Sequence, residues 1–189
     1  MQKMKITLAA LAALSILIWG CGTKAEKAAT ENTKAESSEQ KEESNRGTLK
    51  LALGDATIEI NYGRPVWGGK DRLAQAPDGY VWRMGMNEAT SIKTSAKLTI
   101  GDIAVPAGEH TLYMKRTGDK AWDLVVNSAT GQWGSEFDAE KVIGSTKLTM
   151  ATSKEHTEKF TIAGSAEGKS GSIKVMWGTH VMSVPVTSN

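Results

Sequence analysis

The fold of this chain is decided by a stretch that reads Thr48-Leu49-Lys50-Leu51-Ala52-Leu53-Gly54-Asp55-Ala56-Thr57-Ile58-Glu59-Ile60. Leucines alternate with other residues before the Gly54-Asp55 pair, and isoleucines alternate with polar residues after it. Alternation with a period of two is typical of β-strands, and a Gly-Asp pair between two such runs is typical of a tight turn. The stretch therefore predicts a β-hairpin at the start of the folded part.

The same kind of pattern continues to the C-terminus, with turn signals roughly every ten residues and no long helical periodicity. The predicted turns are Gly101-Asp102, Ala107-Gly108, Thr117-Gly118-Asp119, Gly164–Gly171 and Gly178-Thr179. The pattern predicts an all-β domain over residues 48–189, with about ten short strands in an antiparallel β-sandwich or a barrel-like variant of it. Trp82, Trp122 and Trp177 fall on predicted strands, so we expect them in the core.

The N-terminus has the features of a lipoprotein signal peptide over residues 1–20. Lys3 and Lys5 precede an apolar run that ends at Trp19 and is shorter than the ~20 residues that span a bilayer. Leu17-Ile18-Trp19-Gly20-Cys21 resembles the bacterial lipoprotein box, which implies cleavage before Cys21 and acylation of its sulfur. Acyl chains would then anchor the protein to a membrane. An uncleaved signal anchor is the alternative.

Residues 21–47 predict a flexible charged tether behind the lipidated cysteine. From Gly22 to Gly47, acidic and basic residues are mixed with small and amide side chains, and no aromatic or large aliphatic residue occurs. Such a segment buries too little apolar surface to offset the entropy lost on ordering. Gly22 stands where inner-membrane lipoproteins typically carry Asp, which favours the outer membrane. The sequence thus predicts a domain tethered to the bacterial cell envelope, facing the periplasm or the exterior.

Charge and cysteine content narrow the classes of function. The formal net charge is +2, from 23 basic and 21 acidic residues, and loss of Lys3 and Lys5 with the signal peptide balances the two. Binding of nucleic acid needs a basic surplus, so no nucleic-acid partner is expected. Cys21 is the single cysteine, so the folded domain is expected to have neither a disulfide nor a thiol nucleophile.

One long stretch, Asn61–Thr90, has neither strand nor helix periodicity and is rich in tryptophan, arginine and glycine. Irregular loops of this length are often functional. The candidate ligand contacts in it are Tyr62, Arg64, Trp67, Arg83, Asn87 and Glu88. In this hypothesis Arg64 and Arg83 bind a small anion or a carbohydrate, and Trp67 or Tyr62 forms a stacking surface.

The same residues also suit an internal network that binds no ligand. Glu88 would accept hydrogen bonds from an arginine, while Asn87 and Thr90 would satisfy backbone groups of the loop. A buried guanidinium without a partner is costly, so pairing of this kind is expected. We favour this structural interpretation, and the ligand site stays open beside it.

The sequence lacks the common catalytic motifs. It has no His-Glu-x-x-His, no paired-cysteine zinc motif, no Gly-x-Ser-x-Gly and no phosphate loop. His110, His156 and His180 are far apart along the chain, so no metal and no cofactor are predicted. The favoured function is therefore non-catalytic binding or a structural role. The alternative is an envelope enzyme, a glycan-directed hydrolase centred on Glu88 with Asp71 as its second carboxylate.

Six groups of motifs carry a family resemblance. They are Tyr62-Gly63-Arg64-Pro65, Val81-Trp82-Arg83-Met84-Gly85-Met86-Asn87-Glu88-Ala89-Thr90, Val105-Pro106-Ala107-Gly108 with Thr111-Leu112-Tyr113, Trp122 with Val125-Val126-Asn127, Gln132-Trp133-Gly134, and Trp177 with Val184-Pro185-Val186. In these the chain resembles the bacterial family called domain of unknown function 2911, over about Thr48 to Val186. The resemblance implies a mostly β envelope domain, secreted or lipid-anchored. It implies no reaction, ligand, protein partner or catalytic residue.

Overall fold

The computed structural model describes residues 45–118 and 121–189. The predicted signal peptide, Cys21 and the predicted tether as far as residue 44 lie outside the described residues. The first strand begins at Arg46, shortly before the predicted start of the domain at Thr48. Within the described ranges, no helix is long and apolar enough to cross a membrane.

The described residues form eleven strands, one short α-helix and one 3₁₀ turn. The strands are β1 (Arg46–Leu53), β2 (Ala56–Gly63), β3 (Val81–Trp82), β4 (Thr90–Thr94), β5 (Leu98–Ile100), β6 (Ile103–Val105), β7 (Gly108–Arg116), β8 (Trp122–Asn127), β9 (Val142–Lys147), β10 (Thr149–Glu167) and β11 (Ser170–Ser188). The helix α1 spans Arg72–Gln75, and the 3₁₀ turn spans Ala139–Lys141.

The strands form two antiparallel sheets that pack face to face. The larger sheet has seven strands, in the order β1-β2-β4-β7-β8-β9 with β3 also paired to β7, and the smaller has four, in the order β10-β11-β5-β6. Apolar side chains from both sheets form one hydrophobic core, and the described strands do not close into a barrel. The predicted all-β antiparallel sandwich is therefore confirmed.

The first hairpin forms as the sequence predicts. β1 and β2 pair in register with Leu53 opposite Ala56, so Gly54 and Asp55 make a two-residue turn. Gly54 has a φ of 58°, which glycine adopts without the steric cost that a side chain would add. The alternation on β2 places Ile58 in the core, as its period of two requires.

The C-terminal third differs from the prediction of short strands. β10 and β11 are each 19 residues long and pair with each other. The turn predicted at Gly178-Thr179 is absent, because β11 runs through it with Gly178 at a φ of 61°. A Cβ at Gly178 would lie 2.6 Å from the ring of Trp67, so this glycine makes room for an indole. A glycine that serves a distant contact looks like a turn signal in the sequence alone.

Aromatic rings fill part of the core between the sheets. Trp82 stacks on Trp177 with ring centroids 5.4 Å apart and an interplanar angle of 16°. Phe160 meets Trp82 edge-on at 5.1 Å, and Trp122 is buried nearby in the same core. The predicted core positions of the three tryptophans are confirmed. Aromatic pairs contribute about 0.5–1.5 kcal/mol beyond their area burial, so this cluster is a main source of cohesion between the sheets.

Candidate functional site

The stretch Asn61–Thr90 leaves the larger sheet and returns to it twice. Val66 first forms an isolated bridge with Lys159 on β10, before the chain turns into α1. β3 and β4 then pair with the same edge of β7, one after the other. Residues 83–89 are therefore an excursion between two strands, closed where the Thr90 amide donates to the Arg83 carbonyl at 3.2 Å.

Hydrogen bonds within the excursion hold a backbone that is locally unfavourable. Met84 and Asn87 have φ values of 55° and 61°, a left-handed conformation that costs energy for residues other than glycine. Thr90 Oγ1 donates to the Met84 carbonyl at 2.7 Å. Arg83 Nη1 donates to the Asn87 carbonyl at 3.0 Å. Two of the polar side chains in this stretch thus stabilise the loop itself.

Tyr62 and Arg64 connect β2 to β10 across the sandwich. The Tyr62 hydroxyl donates to the Ile162 carbonyl at 3.2 Å, and the tyrosine ring is buried. Arg64 Nε donates to the Phe160 carbonyl at 3.4 Å, and its Nη2 lies 3.5 Å from Thr161 Oγ1. Both side chains therefore tie the two sheets together, and neither is in the lining of the cleft that Arg83 lines.

Trp67 packs over the aromatic cluster as a cover. Its ring meets that of Trp177 edge-on at 5.3 Å and that of His156 edge-on at 5.7 Å. The indole also lies against Gly178, where a side chain would overlap it. A ring held on several sides in this way offers little free face for stacking on a sugar.

Glu88 is paired, and its partner is an arginine outside the predicted loop. Arg46 Nη1 donates to Glu88 Oε2 at 2.6 Å, and Arg46 Nε donates to Asn61 Oδ1 at 2.6 Å. Arg46 starts β1 and therefore lies next to the end of β2 in the hairpin. Glu88 accepts from an arginine, as the network interpretation expects, but from neither Arg64 nor Arg83.

A cleft of about 340 Å³ lies beside this network, and we call it the α1 cleft. Its lining includes two arginines, Arg72 and Arg83, and Tyr80, whose side chain is 46% exposed. Its remaining lining residues are Pro65, Leu73, Gln75, Ala76, Pro77, Trp82, Gly85, Met86, Trp122 and Trp177. Of the six predicted contacts, only Arg83 lines it.

Sequence reasoning missed Arg72 and Tyr80 as site residues. Neither belongs to a motif with a chemical signature, and α1 is a single turn that carries no periodic signal. The available hint was Asp71, because an Asp just before a helical turn is a typical N-cap. Asp71 accepts from the Ala74 amide at 2.8 Å and fixes where α1 begins, which places Arg72 at the cleft.

Asp71 also pairs with His180 on β11, with Oδ2 and Nε2 2.8 Å apart. Burial alone would raise the pKa of Asp71, but the hydrogen bonds from the Ala74 amide, His180 and the Leu73 amide, together with the charge of His180, lower it on balance. A carboxyl whose pKa is lower in the folded state stabilises the fold while it is ionised.

Asp71 therefore predicts a pH-dependent contribution to stability. We expect Asp71→Asn to lower the free energy of unfolding by about 1 kcal/mol at neutral pH, since solvent screens a partly exposed pair. Ionised Asp71 stabilises the folded state at pH values above its unfolded pKa of about 4. This stabilisation is lost as the pH falls through the pKa that Asp71 has in the folded state. The difference between wild type and variant should shrink below about pH 4, in urea unfolding at a series of pH values.

A matched control is Asp102→Asn, which removes the same charge from an exposed turn residue. Surface changes of this kind usually alter stability by less than about 0.5 kcal/mol. If the free energies of unfolding of the wild type and of Asp71→Asn differ by the same amount at acidic and at neutral pH, the stabilising role of ionised Asp71 is contradicted.

The described residues contain no group of three or more His, Cys, Asp or Glu side chains that could hold a metal ion. Asp71 and Glu88, the two carboxylates considered for hydrolysis, are engaged separately by His180 and by Arg46. The lining of the α1 cleft includes neither of them.

The geometry defines a class: a β-sandwich domain with a small cleft of aromatic and guanidinium groups beside a hydrogen-bonded loop. Residues 44–186 match the model of a family described as protein of unknown function (DUF2911), and the chain belongs to that family. No curated protein matches the chain, and no solved structure matches it.

Proposed function

We propose that this chain is a lipid-anchored protein of the bacterial cell envelope whose domain binds a small anionic ligand in the α1 cleft without catalysing a reaction. The observation that carries the proposal is the presence of two arginines, Arg72 and Arg83, in the lining of a cleft that Trp82 and Trp177 also line. The volume of about 340 Å³ falls at the lower end of the range for small-molecule sites.

The charge of the cleft favours an anion over a neutral sugar. A guanidinium group donates to carboxylate or phosphate oxygens through a planar fork, and two arginines line this cleft. The described lining includes Gln75 as a neutral polar group and contains no carboxylate that would accept from sugar hydroxyls. We therefore narrow the ligand to a carboxylate or phosphate.

The walls favour a ligand with a flat apolar part. Tyr80 offers the exposed aromatic surface of the cleft at 46% exposure, whereas Trp82 and Trp177 are 8% and 3% exposed and add only small apolar patches to the wall. Aromatic side chains offer large rigid contact surfaces at low cost in entropy. An aryl or unsaturated acid thus fits this lining better than a free inorganic ion.

Binding is tested with benzoate and phenyl phosphate as anionic probes, and with benzyl alcohol and glucose as neutral ones. We expect saturable changes in tryptophan fluorescence of the full chain with the anions only. Arg72→Gln removes one guanidinium from an exposed position and should weaken binding about tenfold or more, because hydrogen bonds to charged groups contribute about 1.5–3 kcal/mol. Isothermal titration calorimetry gives the dissociation constants.

The matched control for Arg72→Gln is Lys154→Gln, which removes a positive charge from an exposed position on β10 outside the cleft lining. It should bind both anions as the wild type does. Recognition of an anion by this cleft would be ruled out if benzyl alcohol bound as tightly as benzoate. It would also be ruled out if Arg72→Gln and Lys154→Gln lost the same affinity.

No specific observation favours the hydrolase centred on Glu88. Its carboxylate pairs with Arg46 at 2.6 Å, and the lining of the α1 cleft does not include it. Asp71 caps α1 and pairs with His180, on a different set of elements. The binding role therefore stands as the proposal.

Lipid anchoring rests on the sequence of residues 17–21 and the charged segment that follows. We expect Cys21→Ser to shift the protein from the membrane fraction to the soluble fraction, because without acylation no acyl chain holds it there. Fractionation with labelling by a radioactive fatty acid measures both effects. Wild-type protein that takes up no label, or a Cys21→Ser variant that stays with the membrane, would overturn this part of the proposal. Sucrose-gradient separation tests the outer membrane as the destination.

A further inference from the structure

A second cavity of about 340 Å³ adjoins Leu73, as the α1 cleft does, and we call it the Arg116 cavity. Leu73 and Trp122 line both spaces. The other lining residues are Asp71, Ala74, Arg116, Met150, Ala151, Thr152 and His180. None of the six predicted contacts lines it, so it is separate from the loop network.

Arg116 is the unusual member of this lining. Its side chain is only 8% exposed, yet its Nε–H has no hydrogen-bond acceptor among the described residues. Nη1 donates to the Leu73 carbonyl at a long 3.3 Å. The nearest carboxylate oxygen, Asp78 Oδ1, is 3.9 Å from Nε on a side chain that is 74% exposed. The guanidinium also lies over the ring of Trp122 at 5.6 Å.

These contacts leave one buried donor of the guanidinium, Nε–H, without an acceptor among the described residues, and they include no closely bonded anion. A guanidinium carries five N–H donors, and burying it without a closely bonded anion is costly. A cation–π contact contributes about 0.5–2 kcal/mol, which offsets only part of that cost. A carboxylate normally pairs with arginine through short bonds of about 2.7–2.9 Å, which Asp78 does not make.

We propose that the Arg116 cavity is a second binding site, for a small carboxylate or phosphate whose oxygens pair with the Arg116 guanidinium. Thr152 adds a hydroxyl to the same lining, and it lies directly opposite His180 in the pairing of β10 with β11. The one carboxylate in the lining, Asp71, already accepts from the Ala74 amide and pairs with His180. Met150 and Leu73 give the cavity an apolar side suited to a short hydrocarbon chain.

The test is nuclear magnetic resonance of the full chain titrated with acetate, butyrate and inorganic phosphate. The Arg116 Nε–H signal reports on this cavity, and the Trp177 Nε1–H signal reports on the α1 cleft. We expect a saturable shift of the Arg116 signal with at least one of the three probes. If butyrate binds more tightly than phosphate, the ligand is a carboxylate with a hydrocarbon chain. If phosphate binds more tightly, the ligand is a phosphate. No shift with any probe overturns the proposal.

Variants separate this site from the α1 cleft and from a merely structural arginine. Arg72→Gln should leave the Arg116 titration unchanged, so failure of the cleft and failure of this cavity are distinguishable. Asp78→Asn removes the nearest competing carboxylate from an exposed position, so it should bind the probes at least as tightly as the wild type. Arg116→Lys keeps a charge but loses the fork, and should weaken binding about tenfold. Loss of fold in Asp78→Asn would instead make Asp78 the true partner and overturn the proposal.

Discussion

Replacing Trp177 with alanine is expected to lower the free energy of unfolding by about 3–5 kcal/mol, the largest loss from any single truncation in this core. Trp177 is 3% exposed and contacts three other aromatic rings: it stacks on Trp82 and meets Trp67 and Phe160 edge-on. Removing it would leave a cavity between the two sheets that neighbouring rings cannot fill. Because small domains are stable by only about 5–15 kcal/mol, much of the fold's stability would be lost. Urea unfolding followed by circular dichroism measures the change.

Two controls separate packing from the loss of an indole as such. Trp177→Phe keeps a ring in the cluster and removes a buried Nε1–H that has no acceptor among the described residues, so it should cost clearly less than alanine. Trp133→Ala makes the same substitution at a side chain that is 48% exposed, and should cost about 1 kcal/mol or less. If Trp177→Ala and Trp133→Ala proved equally mild, the aromatic cluster would not be what joins the sheets.

Replacing Gly63 with alanine is expected to destabilise the domain by about 3 kcal/mol, at the upper end for overpacking. A Cβ at Gly63 would overlap the carbonyl oxygen of Met86 and lie 2.7 Å from its amide nitrogen. These are backbone atoms of the excursion between β3 and β4, so they cannot rotate away as a side chain would. The variant would have to push the excursion off the end of β2. Thermal unfolding and the resonances of residues 83–89 report the two effects together.

The control for Gly63→Ala is Gly131→Ala, which tests conformational strain without a clash. Gly131 has a φ of 73° and would have nothing within 4 Å of its Cβ, so alanine there should cost only the left-handed strain of about 1–2 kcal/mol. If Gly63→Ala and Gly131→Ala lose the same stability, the close approach of Gly63 to Met86 adds nothing to the cost of a side chain.

The excursion therefore has a structural role, and three of its residues, Arg83, Gly85 and Met86, also line the α1 cleft. Thr90 and the Arg46–Glu88 pair are engaged in holding it, as the network interpretation expects. Asn87 takes part through its backbone carbonyl, which accepts from Arg83. Of the side chains that make these bonds, Arg83 alone also lines the α1 cleft. The proposed ligand site thus lies beside the network and shares one side chain with it.

The sequence by itself determined the antiparallel sandwich and the buried faces of its first strands, but not the length of β10 and β11. The buried face of Thr48–Ile60 follows from its own alternating sequence, because successive side chains of a strand point to opposite faces whatever the rest of the chain does. The same local reasoning placed Trp82, Trp122 and Trp177 in the core. It also made the family recognisable, because the run from Val81 to Thr90 is specific in its own right.

Only the tertiary structure decided which polar groups meet. Glu88 pairs with Arg46, 42 positions away, because the pairing of β1 with β2 brings Arg46 to the excursion. Arg72 reaches the cleft because Asp71 caps α1. Position 178 requires a glycine because a side chain there would overlap the ring of Trp67. An irregular loop carries no periodic signal, and each of its side chains has several possible partners of the right charge. The choice among those partners depends on distances that exist only after the two sheets have packed.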